Sequence, residues 1–190
     1  MVSFLASQLV GEKGEVIAFE PLPEAFKFLR SKCKTLKLTN FKIYNYALSD
    51  KNGVKKLKVN GSGSHFLLNS DTQQPFIVVK MVTFDSFPPT KNKKVDVAII
   101  NVEGAELEVL RGMRRVLSEH EVKIICEVHP IQLCYLGYSL KELEKLLEEL
   151  GYKIFHISNM GLRKVTNLFR ERAHYLFARR IPTSLKKWKK

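Results

Sequence analysis

Short β-branched runs alternate with stretches of helical periodicity along most of this chain, the pattern of a parallel sheet covered by helices. Residues 1–10 are largely apolar and run straight into Gly11-Glu-Lys-Gly14. With no basic leader and no cleavage site, they read as a helix and not as a signal peptide. Residues 15–20 read as a strand, and Pro23 suits the first turn of the helix that follows. In that helix Phe26, Leu29, Cys33 and Leu36 fall at helical spacing. A second strand is expected at 41–46, then turn chemistry at 49–53 and a small antiparallel excursion through Val54, Leu57 and Val59. Gly61-Ser-Gly-Ser64 reads as a flexible loop, and residues 76–81 as the returning strand.

Residues 95–100 are continuously apolar apart from Asp96, as expected of a strand buried on both faces. The next helix places Leu107, Leu110, Met113 and Leu117 on one stripe, and residues 122–128 supply another buried strand. Ser139-Leu-Lys-Glu142 forms a capping box opening a helix with Leu143, Leu147 and Leu150 inward, and Gly151 stops it. Residues 152–157 and 174–178 complete the set of expected strands.

At 190 residues and 45% apolar composition, one ordinary domain with a buried core is expected over residues 1–182. No apolar run approaches the roughly 20 residues that span a bilayer. Three cysteines, Cys33, Cys126 and Cys134, form neither a CxxC pair nor a Cys/His cluster. They support neither a disulfide framework nor a zinc site, and a cytoplasmic, reducing setting fits them best. Net charge is +13, and residues 163–190 carry ten Lys/Arg against Glu171 alone. A cationic tail at 183–190 can attract nucleic acid or an anionic membrane, and equally suits a solvated terminus.

In open α/β sheets ligands sit beyond the carboxyl ends of the strands. Acidic residues stand at three such ends: Glu20, then Glu103 beside Asn101, then Glu127 with His129. A carboxylate at the tip of a strand can take both hydroxyls of a ribose, which makes Glu20 a nucleoside-binding candidate. A carboxylate favoured by the dipole of the following helix is the competing reading of Glu20, and also of Glu103 and Glu106. For His129, followed by Pro130, a structural loop role stands beside a catalytic one. Glu127, His129 and His156 have no recognised metal-ligand spacing, so no metal is expected.

Val16-Ile-Ala-Phe-Glu-Pro-Leu-Pro23, Asn45-Tyr-Ala-Leu-Ser-Asp50 with Gly53, Val102-Glu-Gly-Ala-Glu106 and Ile125-Cys-Glu-Val-His129 together resemble the FkbM-type S-adenosylmethionine-dependent methyltransferases in order and spacing. The resemblance implies a Rossmann-like class I methyltransferase fold, a mostly parallel sheet with helices on both faces. It implies methyl transfer, usually to a hydroxyl oxygen of a small molecule or sugar. It would put Glu20 on the cofactor ribose with Pro21 and Asn101 alongside, and Ala47 and Leu48 beside the adenine.

Two departures qualify that resemblance. Family members begin with a strand ending in an Asp-x-Gly-Ala-Asn-x-Gly turn, and this sequence starts in the helix that should follow it, so the family's first strand is missing from the expected sheet. That strand would lie between those ending at Glu20 and Ile100. The expectation is therefore that the chain begins upstream, that the flanking strands close up, or that a partner chain, a homodimer included, fills the slot. At the second departure Ile99 and Asn101 replace the family's Lys and Asp, and Asn101 keeps an acceptor oxygen without the negative charge.

The leading expectation is a methyltransferase in which Asn101, Glu103, Glu127 and His129 bind the acceptor and remove its proton. A catalytically silent relative serving as a binding or scaffold module shares the same fold. A nucleic-acid-binding protein ranks last, for want of aromatic-basic interleaving. The acceptor is not encoded legibly, since neither residues 62–74 nor 133–138 carry a readable pattern.

Overall fold

A computed structural model describes residues 2–59, 65–66 and 75–180. The expected Gly61 to Ser64 loop, most of residues 62–74 and the basic tail lie outside the described residues. The chain opens with helix α1 (Val2–Leu9), strand β1 (Val16–Phe19), helix α2 (Pro23–Thr35) and strand β2 (Phe41–Tyr44). Next come β3 (Ala47–Leu48), β4 (Gly53–Lys58), β5 (His65–Phe66), β6 (Phe76–Val82) and β7 (Val97–Ile100). The remainder is α3 (Glu106–Gly112), α4 (Arg114–Glu119), β8 (Lys123–Val128), α5 (Pro130–Tyr135), α6 (Leu140–Glu149), β9 (Lys153–Ser158), β10 (Gly161–Val165) and β11 (Ala173–Ala178).

The alternation of strands and helices is as the sequence predicts, and the small antiparallel excursion forms as β4 paired with β6, but the remaining strands do not join in one parallel sheet. A five-stranded sheet runs β10-β9-β11-β8-β7, a four-stranded one β3-β6-β4-β5, and among the described residues β1 pairs only with β2. The two larger sheets are mixed. Pairing is parallel in β1–β2, β3–β6 and β7–β8 and antiparallel elsewhere. In the five-stranded sheet the antiparallel pairing arises from a tight β9–β10 hairpin, where Ser158 Oγ accepts the Met160 N–H, and from β11 inserting between β9 and β8. Nor do the strands flanking the expected slot close up: β1 and β7 are not paired with each other. Instead β1 is tied to the rest by side chains. Phe19 packs edge-on against Phe84 and Phe87, and Glu15 bridges Lys42 and Lys93.

The principal core lies between the five-stranded sheet and α3, α4 and α6. Leu107, Leu110, Leu117, Ile124, Leu143, Leu147 and Phe177 are sealed from solvent there, each large aliphatic contributing about 1.5–3 kcal/mol by burial. The capping box at Ser139 forms as expected: its Oγ accepts the Glu142 N–H, and the Glu142 carboxylate accepts the Ser139 N–H. Where one helix was expected over 106–117, two occur. Asp85 reaches in from a distant loop to accept the N–H groups of Arg115 and Val116, starting α4 afresh. At the same break Gly112 lies so close to the Ser49 carbonyl that a Cβ would sit 2.0 Å from its oxygen. On α2 the apolar stripe is only half covered, and Leu36, at the C-cap, is 55% exposed.

Candidate functional site

Beyond the carboxyl end of β7 the chain turns sharply before α3. Glu103 (φ +49°) and Gly104 (φ +100°) take consecutive left-handed conformations, and the Ala105 N–H closes the turn on the Val102 carbonyl. The turn presses against α5: a Cβ on Gly104 would lie 2.6 Å from the Gln132 carbonyl carbon. This close approach stations the Glu103 and Glu106 carboxylates beside the end of β8, where His129 caps α5.

Glu106 opens α3 fully buried, and its Oε1 accepts the Gly104 N–H at 3.1 Å and meets His129 Nδ1 at 2.8 Å. The His129 ring is only 1% exposed. Its Nε2 lies 3.5 Å from Glu103 Oε1 and 3.9 Å from Glu127 Oε1, close enough for ionic attraction but without a hydrogen bond. Asn101 donates from Nδ2 to Glu127 Oε2 at 2.7 Å. Arg172 Nε at 3.4 Å and His174 Nε2 at 3.7 Å flank Glu127 from the far side. The four residues singled out from the sequence at this end, Asn101, Glu103, Glu127 and His129, therefore converge on one cluster.

Burial of the imidazole disfavours its charged form. The hydrogen bond with Glu106 and the charges of Glu106, Glu103 and Glu127 outweigh that, and the His129 pKa is raised above its ordinary value. A histidine whose pKa is higher folded than unfolded adds stability that is fully present below its unfolded value near 6.5 and is lost as pH rises through the folded value. Urea unfolding is thus expected to show the wild type gaining stability over His129→Gln as pH falls from 8 toward 6. A gap between the two that stays constant with pH would contradict a charged ring.

The Glu20 end is held differently. Glu20 N–H donates to the Tyr44 carbonyl, extending the β1–β2 pairing, and Asn45 Nδ2 donates to the carbonyls of Glu20 and Pro21. The Glu20 carboxylate accepts the Leu22 N–H at 3.0 Å just before α2 begins. Burial pushes its pKa up, partly offset by that hydrogen bond. The carboxylate at this strand tip thus serves the start of a helix, the second of the two readings offered by the sequence. Ala47 is buried and Leu48 half-buried. Ala47, Ala105 and Leu136 share one apolar cluster, against which Leu22 and Val102 pack. That cluster ties the Glu20 end to the turn after β7.

Sequence reasoning missed the structural weight of Glu106 and Glu108. From the sequence Glu106 reads as a helix-dipole carboxylate, yet it sits at i−4 and i−7 from Leu110 and Met113, on the buried stripe of α3, and an acid on such a stripe calls for a partner. Glu108 is also buried. It takes Lys55 Nζ at 2.6 Å, Ser49 Oγ at 2.8 Å and the Tyr138 hydroxyl at 3.1 Å. Burial and the Glu108 charge push the Tyr138 pKa up to about 12, so Tyr138 stays a proton donor to this carboxylate. Among the described residues no group of three or more His, Cys, Asp or Glu side chains is arranged to hold a metal ion.

The family model described as the methyltransferase FkbM domain matches residues 2–154. The chain belongs to the FkbM methyltransferase-domain family. Its fold is similar to the crystal structure of methyltransferase FkbM from Methylobacillus flagellatus KT, with a TM-score of 0.56 and 15% identity, covering 93% of this chain. This chain spans 40% of that protein's length. No curated protein matches the sequence. In this FkbM-family chain the Val102-Glu-Gly-Ala-Glu106 motif is the sharp turn just described, and Ile125-Cys-Glu-Val-His129 is β8 with its capping histidine. No helix among the described residues is long and apolar enough to cross a membrane.

Proposed function

We propose that this FkbM-family domain binds S-adenosylmethionine at its acidic strand ends and transfers the methyl group to a hydroxyl oxygen of a small molecule or sugar. The observation that carries the reading is the convergence of Asn101, Glu103 and Glu127 over the buried Glu106–His129 pair. The donor set fits the cofactor chemically. Partly covered carboxylates suit a positive sulfonium, and Glu20, desolvated at a strand tip, suits a ribose hydroxyl pair.

When bound, the cofactor supplies an electrophilic methyl on a positively charged sulfur. Glu20 would accept from the ribose hydroxyls, with Pro21 at the same strand end, and Leu48 with the small Ala47 would form the apolar floor for adenine. Glu103 and Glu127 are the groups that receive the acceptor hydroxyl proton. Asn101, engaged with Glu127, fixes the orientation of that carboxylate. His129 is enclosed, so its part is to hold the carboxylates in place from beneath, as a positioning residue.

A silent binding module is the second reading. It is favoured by the enclosure of His129 and by the commitment of the Asn101 amide to Glu127. The two readings share the fold, and cofactor binding tests the step that the first requires. At about 100 times its dissociation constant, S-adenosylhomocysteine is expected to add about 2.7 kcal/mol and raise the melting temperature by roughly 5–10 °C. An unchanged melting temperature at millimolar concentration favours the silent module.

A further inference from the structure

The β4–β6 pairing sorts its side chains onto two faces. Directly opposed pairs are Val54 with Lys80, Lys56 with Val78 and Lys58 with Phe76, so these six residues share one face. The other face carries Leu57, Val79 and Met81 into the core, and Lys55 into its ion pair with Glu108. The outward face is therefore built of three lysines, two valines and one phenylalanine. Neither strand contains an acidic residue, and among the described residues Lys56, Lys58 and Lys80 enter no ion pair. Val54 is 65% exposed, Val78 62% and Phe76 39%. Isolated exposed valines are ordinary, but here they are interleaved on a single face with lysines that meet no acid among the described residues.

From this juxtaposition we infer that the outer face of β4 and β6 docks on an anionic lipid surface. Aliphatic side chains with no polar handle gain from entering the headgroup boundary, while lysines on flexible stems reach the negative charge around them. A second copy of the same face would bring six lysines together with no acid to meet them. A single-stranded nucleic acid would need stacking platforms, and Phe76, the only aromatic of the two strands, already has Lys56 Nζ 4.5 Å over its ring. The overall charge of +13 adds long-range attraction to the same kind of partner. This docking is independent of methyl transfer.

The test is sedimentation of the full chain with vesicles of phosphatidylcholine alone and of phosphatidylcholine with roughly 30% phosphatidylserine. Binding is expected only to the anionic vesicles and should weaken as salt is raised. Lys56→Gln/Lys58→Gln/Lys80→Gln is expected to lower partitioning about 100-fold, roughly fivefold per lysine. Val54→Thr/Val78→Thr keeps every charge and the β-branched shape, and is expected to lower it about tenfold with the melting temperature unchanged. All variants retain residues 183–190. Binding that the valine substitutions leave intact would assign the attraction to the charged tail and overturn the inference. Equal binding to neutral vesicles would also overturn it, as would preference for a single-stranded RNA oligonucleotide that the valine substitutions do not affect.

Discussion

The Gly104→Ala variant is expected to lose about 3–5 kcal/mol of stability, read from the urea midpoint at constant slope. Two independent costs meet at this residue. A φ of +100° is strained for any L side chain, and the added Cβ would stand 2.6 Å from the Gln132 backbone, which cannot swing aside like the end of a long side chain. Gly137 is the control. Its φ of +84° carries the first cost, but nothing lies within 4 Å of an added Cβ, so Gly137→Ala is expected to lose only about 1–2 kcal/mol. Equal losses at the two positions would mean that contact between the turn and α5 does not matter, and with it the physical reason for glycine in the motif that positions Glu103 and Glu106.

His129→Leu is expected to cost about 3–5 kcal/mol at pH 6, where the ring carries its charge, because removing the imidazole leaves the buried Glu106 carboxylate facing Glu103 and Glu127 without a cation. Adding Glu106→Leu removes the stranded charge, so the double variant should recover a large part of that loss. A double-mutant cycle is the clean readout, with an interaction energy of at least about 1–3 kcal/mol expected. Strict additivity would contradict a coupled pair.

Much of the local structure was legible in the sequence because local rules decide it. The Ser139 capping box, Pro23 in the first turn of α2 and the stripe of Leu107, Leu110 and Leu117 each act within a few residues, and each appears as expected. Long-range partners were not legible. The second start at Arg114 depends on Asp85, and the split into three sheets depends on which strands meet, which spacing alone does not encode. β10 and α5 are too short to show a period, although Pro130 directly after His129 was a helix-start signal. At the site the strand-end rule located Asn101, Glu103, Glu127 and His129, while the depth of Glu106 required reading an acid on an apolar stripe as a buried partner.

Isothermal titration of S-adenosylhomocysteine into the wild type and into Glu20→Gln addresses most directly whether a nucleoside docks at these strand ends. The amide preserves shape but removes the charge that would grip the ribose hydroxyls. Saturable binding to the wild type, weakened at least about tenfold in Glu20→Gln with unchanged folding, is the predicted result. Equal affinity in the two proteins would place the nucleoside elsewhere and contradict the site described.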